Sequence, residues 1–301
     1  MDSQLAPLTG ARQTMLAWSQ VIESFEDIPA PFKNAFEPIW DEKRPFPYTV
    51  FAPSIAGLRH KTTEKLLCDH NGSITVWEHN GDHLTVNTYP IEQITDIEVG
   101  YILLFSWITI SGVTKTGEPA SSTIEFNTAT TRYFIPFVNK LRPAPIDAIP
   151  HVQSTERAKF DYLERQDFKF MNFAIDSLAG DEKVLHTLWQ PKMTRPILKL
   201  GQRALERTIA LAHLAILTDK ELIMIQDDER SRENRGVRYG GKWQYIALRH
   251  IKTVSLQEQS DKALLLSLTL TPGERPLSFL FAAQQQQSLI QLQDKLEALL
   301  G

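Results

Sequence analysis

The sequence predicts a mainly β protein with some α: two strongly bent, seven-stranded sheets of barrel type, each capped by a C-terminal helix, with further helices before and between them. Three observations predict it. Two stretches of the chain match one another in the order of their apolar positions. Within each stretch, apolar residues alternate with period two, as on half-buried strands. Each stretch then ends in apolar residues three and four apart, the spacing of an amphipathic helix.

The clearest match places residues 89–99 (YPIEQITDIEV) over 246–256 (IALRHIKTVSL). Five apolar pairs coincide: Tyr89 with Ile246, Ile91 with Leu248, Ile94 with Ile251, Ile97 with Val254 and Val99 with Leu256. Upstream, Ile74 and Val76 after the Asn71-Gly72 turn match Leu222 and Met224 after Asp219-Lys220, and residues 50–53 (VFAP) match 188–191 (LWQP). Downstream, the alternating face Leu104, Ser106, Ile108, Ile110 falls on Leu264, Leu266, Leu268, Leu270, and Ile124 and Phe126 fall on Phe279 and Phe281. Last, Phe134, Phe137 and Leu141 match Leu289, Leu292 and Leu296. Offsets that change from segment to segment are what insertions in loops between fixed strands produce. The chain reads as a duplication.

Taken in order, Met15, Leu16, Trp18, Val21, Ile22 and Phe25 predict an amphipathic helix over 11–28, after which Pro29, Pro31, Pro38, Pro45 and Pro47 break the chain into turns. The first copy is expected to hold strands near 48–53, 65–69, 73–78, 83–89, 94–99, 103–112 and 120–127, and a helix over 130–142. Residues 141–150 (LRPAPIDAIP) form a linker, because three prolines remove donors and restrict their neighbours. From 154 to 178 the chain turns helical, with Phe160, Leu163, Phe170, Met171, Phe173, Ala174 and Leu178 apolar and Gly180 placed to stop it. These residues are expected to dock one barrel on the other or on the N-terminal helix; the alternative is a partner-binding groove. The second copy has strands near 184–191, 208–217, 221–227, 242–247, 250–256, 263–271 and 276–281, then a helix over 283–300. The expected organisation is a helical extension (1–44), a first domain (45–143), a linker with an inter-domain helix (144–180) and a second domain (181–301).

A chain of 301 residues with 42% hydrophobic content has enough apolar material for two cores. Its net charge of -4 lacks the basic excess of nucleic-acid binders, so any anion site must be local. A single cysteine, Cys68, excludes an internal disulfide and points weakly to a reducing compartment. The N-terminus has no basic start followed by an apolar run, so a cytoplasmic location is expected. The longest uncharged run, residues 99–114, contains Gly100, Ser106, Thr109 and Ser111 and falls short of the ~20 apolar residues of a spanning helix. It reads as a turn followed by a buried strand.

Catalytic and cofactor motifs are not found. Tyr239-Gly240-Gly241-Lys242 is followed by Trp243 rather than the hydroxyl residue a phosphate loop needs for its metal, and reads as a turn. His79 and His83 flank a hairpin signal, Asn80-Gly81-Asp82, so their spacing is not that of helical metal ligands. His186, His213 and His250 fall in or beside strands and read as structural, and Cys68 beside His70 is poorly placed for proton transfer. No enzyme, cofactor or metal is expected.

One charged feature stands out. Between the second copy's first two strands lie Lys192, Arg195, Lys199, Arg203 and Arg207 with only Glu206 opposing, and between its third and fourth lie Arg230, Arg232, Arg235, Arg238 and Lys242 among Asp227, Asp228, Glu229 and Glu233. In an up-and-down sheet these two loops emerge at the same end, so both segments should converge on one barrel mouth. The candidate anion- or partner-binding residues are thus Lys192, Arg195, Lys199, Arg203, Arg207, Arg235, Arg238 and Lys242. The alternative is a solvated, salt-bridged loop surface.

The order of seven strands and a closing helix, with the pattern of Ile91, Ile94, Ile97 and their counterparts, resembles the pleckstrin-homology-like fold, in particular the bacterial version that occurs as tandem copies. The resemblance covers about residues 45–143 and 181–301. In eukaryotic domains of this fold the same end binds inositol phosphate headgroups through basic residues of the first loop. Lys199 and Arg203 lack the tight Lys-x-Arg pairing of those domains, so headgroup specificity does not transfer. The expected function is a non-catalytic interaction or scaffold protein that binds another protein; the alternative is peripheral binding to anionic membrane through the basic loops, with an enzyme a distant third.

Overall fold

The computed structural model describes residues 18–55, 62–143, 154–200, 203–230, 233–234, 237–260 and 262–301. The chain is mainly β with some α, arranged in several antiparallel sheets. The first half runs β1 (Gln20–Ile22), α1 (Ala30–Phe36), β2 (Tyr48–Ala52), β3 (Glu64–His70), β4 (Ser73–Asn80), β5 (His83–Pro90), β6 (Ile94–Ile102), β7 (Phe105–Val113), β8 (Pro119–Asn127) and α2 (Ile135–Leu141). Then come α3 (Ser154–Ala158) and α4 (Phe168–Ser177). The second half runs β9 (Val184–Gln190), β10 (Met193–Leu200), β11 (Arg203–Ala210), β12 (His213–Thr218), β13 (Glu221–Gln226), β14 (Glu233–Asn234), β15 (Val237–Arg238), β16 (Gly241–Ala247), β17 (Ile251–Ser260), β18 (Ala263–Leu270), β19 (Arg275–Ala282) and α5 (Gln286–Leu300).

Pairing divides each half in the same way. Strands β2–β5 form a sheet to which β1 adds an edge, and β6–β8 form a second. In the other half β9, β12, β13 and β16 correspond to the first group, and β17–β19 to the second. The two halves then join: β6 pairs antiparallel with β16, Ile97 opposite Tyr245 and Tyr101 opposite Gly241, giving one seven-stranded sheet in the order β8-β7-β6-β16-β13-β12-β9. Gly240 sits in the left-handed region (φ 81°) at the entry to β16, and a β-carbon there would lie 2.0 Å from the Tyr101 carbonyl oxygen. Only glycine permits that approach.

The inner faces build two cores. In the first, Val50, Leu67, Ile74 and Tyr89 meet Ile97, Ile108, Ile110, Ile124 and Phe126, closed by Phe137 and Leu141 of α2. In the second, Leu188, Leu222, Met224 and Ile246 meet Leu266, Leu268, Phe279 and Phe281, closed by Leu289, Leu292 and Leu296 of α5. Strands β12 and β13 are buried along most of their length on both faces, which is why HLAILT and ELIMIQ read as apolar runs rather than alternations. Their outward residues Leu214, Ile216, Ile223 and Ile225, with Trp243, lie under Phe170, Phe173 and Ala174 of α4 and join the first core. The inter-domain aromatics thus dock the halves together. The outer face of the first sheet is covered likewise, Leu66, Cys68 and Trp77 lying under Ile22, Ile28, Phe32 and Phe36.

Several expectations are corrected. Residues 18–28, expected to be helical, form β1 and a turn, while residues 11–17 lie outside the described residues. The proline-rich stretch after them contains α1, because Pro31 falls in its first turn, where no backbone donor is required. The helix expected over 154–178 is three pieces: α3, a 3-10 turn at Asp161–Leu163, and α4, whose start is fixed by the Asp167 carboxylate accepting from the Phe170 N–H at 3.3 Å. The strand expected over 208–217 breaks at Leu211-Ala212, and the loop before it is the hairpin β10–β11. The ladders also align Ile108 with Leu266 and Ile110 with Leu268, two residues from the match drawn from apolar alternation. Period-two patterning is blind to a slip of two.

Candidate functional site

One row of paired residues crosses the whole seven-stranded sheet: Glu125, Trp107, Gly100, Lys242, Gln226, His213 and Gln190. Just beyond that row the chain leaves the sheet at four places, into the β6–β7 turn, the 3-10 turn after β8, the β13–β16 loop and the β9–β12 connection that holds the β10–β11 hairpin. The two basic segments therefore do share one end of the molecule. Between them opens a cleft of about 500 Å³, lined by Glu98, Ile209, His213, Gln226, Asp228 and Lys242 among others.

The charge at that end is unevenly spent. Lys242 bonds the Glu98 carboxylate at 3.1 Å, and Glu98 also accepts from the Trp107 indole at 2.8 Å. Arg230 grips Asp228 through two nitrogens at 2.9 and 3.0 Å and lies 3.7 Å over the Trp107 ring. Burial would raise the Asp228 carboxyl, but the bonds and charge of Arg230 hold it below its ordinary value. Lys169 of α4 is bound to Asp227. Residues 227–242 hold five basic and four acidic side chains, a net of about +1, so this loop is largely self-neutralised.

The hairpin differs. Residues 192–207 hold five basic and one acidic side chain, a net of about +4. Arg195 on β10 stands directly opposite Arg207 on β11, both exposed and neither ion-paired among the described residues. Like charges facing across a ladder repel. Lys192 lies in the turn before β10, exposed and with an interaction of its own. Lys199 and Arg203 lie near the hairpin tip, opposite Ala204 and Leu200 in the backbone register. Arg238 lies in β15 opposite Glu233, and Arg235 lies outside the described residues.

Apolar residues not singled out in the sequence complete this end. Leu103 and Leu104 in the β6–β7 turn are 70% and 66% exposed, Leu103 in the left-handed region (φ 54°). Tyr239, Phe168 and Ile209 are also exposed. Tyr239 adjoins Gly240 at Tyr101, Phe168 adjoins Lys169 at Asp227, and Ile209 lines the cleft. The available signal was the uncharged run 99–114, whose turn carries two leucines where glycine or asparagine is usual.

The buried titratable groups, His213 at the cleft among them, read as structural. Burial pushes His213 down to about 4, against a Leu211 carbonyl 2.9 Å from Nδ1. Arg142 is enclosed by Glu221, Glu182, the Ser177 carbonyl and the Tyr245 ring. Burial raises Glu221 to about 7, against the pull of Arg142. Cys68 is buried and its thiol is pushed up to about 12. Among the described residues no three His, Cys, Asp or Glu side chains group as metal ligands, and no helix is long and apolar enough to cross a membrane. The chain matches no family model and no curated protein.

Proposed function

We propose that the chain is a non-catalytic interaction protein, two pleckstrin-homology-like modules locked into one unit, which binds a partner protein by taking up an extended segment of it along β5. The division of each half into four strands, three strands and a closing helix supports the modules. The observation that carries the binding reading is a difference between equivalent strands. In the second half the fourth strand, β16, has its edge taken by β6 and its outward Trp243 covered by Phe173, ring centroids 4.7 Å apart. Its counterpart β5 ends its sheet, with Val86, the equivalent of Trp243, 46% exposed beside exposed Leu84.

Among the described residues one end of β5 is covered: the Lys115 N–H bonds the Thr88 carbonyl at 2.8 Å on the side away from β4. Among the described residues nothing pairs with the outer edge of residues 83–87, and a peptide strand there gains backbone hydrogen bonds while its alternate aliphatic side chains meet Leu84 and Val86, as Val99 and Ile97 of β6 meet Trp243 and Tyr245. Val86→Pro tests this, because proline is tolerated on an edge whose N–H faces outward. Cross-linked capture from native lysate should recover a partner with the wild type and lose it with Val86→Pro and with Leu84→Lys, the melting temperature being unchanged. Equal capture by all three proteins contradicts the proposal.

A further inference from the structure

The loop end and the β5 edge belong to different sheets, and the loop end has a chemistry of its own. Five exposed large apolar side chains, Leu103, Leu104, Phe168, Ile209 and Tyr239, come from four different segments that all lie at one end of one sheet. Scattered exposed hydrophobics need no explanation; a cluster rimmed by charge does. The rim here is the hairpin, at about +4 by its side chains, with Arg195 and Arg207 forced opposite one another and unneutralised among the described residues. Of the acidic groups of the same end, Asp227, Asp228 and Glu98 are held by Lys169, Arg230 and Lys242, and exposed Glu229 at the cleft has an interaction of its own. On the hairpin Glu206 stands against five basic residues, so what projects there beside the apolar turn is mainly cationic. A folded protein partner would supply pockets for the leucines and carboxylates for the arginines at fixed places; a bilayer supplies an apolar layer beneath an anionic plane, which suits side chains projecting from separate loops.

We propose that this end docks on an anionic lipid bilayer, with the Leu103-Leu104 turn entering the acyl boundary and Arg195 and Arg207 lying against the headgroups. The turn is the tip of a hairpin anchored through β6 into the seven-stranded sheet, so its insertion costs little ordering. Each arginine near such a surface is worth about fivefold in partitioning, so removing both costs about 30-fold.

The test is sedimentation of the full chain with vesicles of phosphatidylcholine alone, or of phosphatidylcholine mixed with phosphatidylserine, at low and high salt. The wild type should pellet with the mixed vesicles only. Arg195→Ala/Arg207→Ala should lower partitioning about 30-fold and flatten its salt dependence, whereas Leu103→Asp/Leu104→Asp should abolish pelleting at any salt. All four side chains are exposed, so the variants should keep the wild-type melting temperature. Excess glycerophosphoserine, a soluble source of the same headgroup, should not release the protein, because it offers no apolar layer. Release by that competitor would assign the site to a free anion and overturn the proposal. So would failure of the wild type to pellet, or pelleting indifferent to the leucine substitutions. The β5 variants should pellet like the wild type, which keeps this outcome apart from that of the partner-strand experiment.

Discussion

The two halves pair their strands in the same way but differ in what covers their fourth strand, and the difference shows how two similar β units become a single body. In the second half, α4 reaches across the outward face of β12, β13 and β16, and β6 of the first half takes the remaining edge. In the first half the covering helix, α1, has only 7 residues; its Phe32 and Phe36 reach Phe51 and Trp77 but leave Leu84 and Val86 on β5 bare. An edge strand is a liability unless paired, covered or charged. The second half has its fourth-strand edge closed from within the chain, and among the described residues the first half keeps that edge open.

The largest effect should come from the charge that ties the halves together. Arg142, at the end of α2, bonds Glu221 and the Ser177 carbonyl of α4 and stands 3.6 Å from Glu182, with no side-chain exposure at any of the three ionic partners. In the first half the position equivalent to Glu221 is Ser73, so this buried ion pair belongs to the joint rather than to the shared pairing plan. Arg142→Ala leaves two buried carboxylates with no counter-charge and should cost about 3–5 kcal/mol. Urea unfolding followed by tryptophan fluorescence and by far-UV dichroism should show one coincident transition in the wild type, because α4 and the outer face of β12–β13 belong to the first half's core. Two separated transitions would mean that the joint is weaker than the modules.

That joint was the least legible part of the chain. The strands were readable because half-buried strands must alternate, and the closing helices because they must not. Arg142 was hidden in a proline-rich run that reads as a linker, where the helix ends at Leu141 and Pro143 follows. The β6–β16 pairing is made by backbone hydrogen bonds and by long-range side-chain ties, Lys242 to Glu98 and Gln244 to Asp96, which no local pattern in the sequence announces. The hairpin β10–β11 was concealed because its charges suggested a loop, and Leu103 and Leu104 because leucine in sequence suggests a core. Patterning reports which residues prefer burial; it does not report which of them the topology leaves outside.

A second difference between the halves concerns protons. His213 and Glu221 of the second half occupy the positions of Lys65 and Ser73 in the first. His213 titrates near 4 in the folded chain instead of 6.5, so its contribution, about 3 kcal/mol, is present above pH 6.5 and lost as pH falls toward 4. Glu221 is raised from 4.5 to about 7, so its contribution is present below pH 4.5 and lost as pH rises through 7. The two slopes oppose between pH 4.5 and 6.5, so the contributions of these two groups largely offset one another there. Single substitutions should uncover each: His213→Leu should leave stability falling as pH rises toward 7, and Glu221→Gln should leave it falling as pH drops toward 4. Urea midpoints measured across that range would show it, and parallel curves for all three proteins would remove the titration argument.

The smallest effect separates the joint from an ordinary turn. Gly240 and Gly117 both have positive φ, 81° and 85°, so alanine at either incurs the left-handed penalty of about 1 kcal/mol. Beyond Gly117 a β-carbon meets nothing within 4 Å, whereas at Gly240 it would sit 2.0 Å from the Tyr101 carbonyl oxygen and 3.0 Å from the α-carbon of Ile102, both backbone atoms that cannot swing aside. Gly240→Ala must therefore push β16 away from β6, and should cost about 1–2 kcal/mol more than Gly117→Ala. Hydrogen exchange should sharpen the contrast: Gly240→Ala should lose amide protection along 97–101 and 241–245, the two sides of the joint, and Gly117→Ala should lose it only in the β7–β8 turn. Equal costs and equal exchange would mean that the β6–β16 edge gives way freely, and the contrast between a closed fourth strand and an open one would then lose its physical basis.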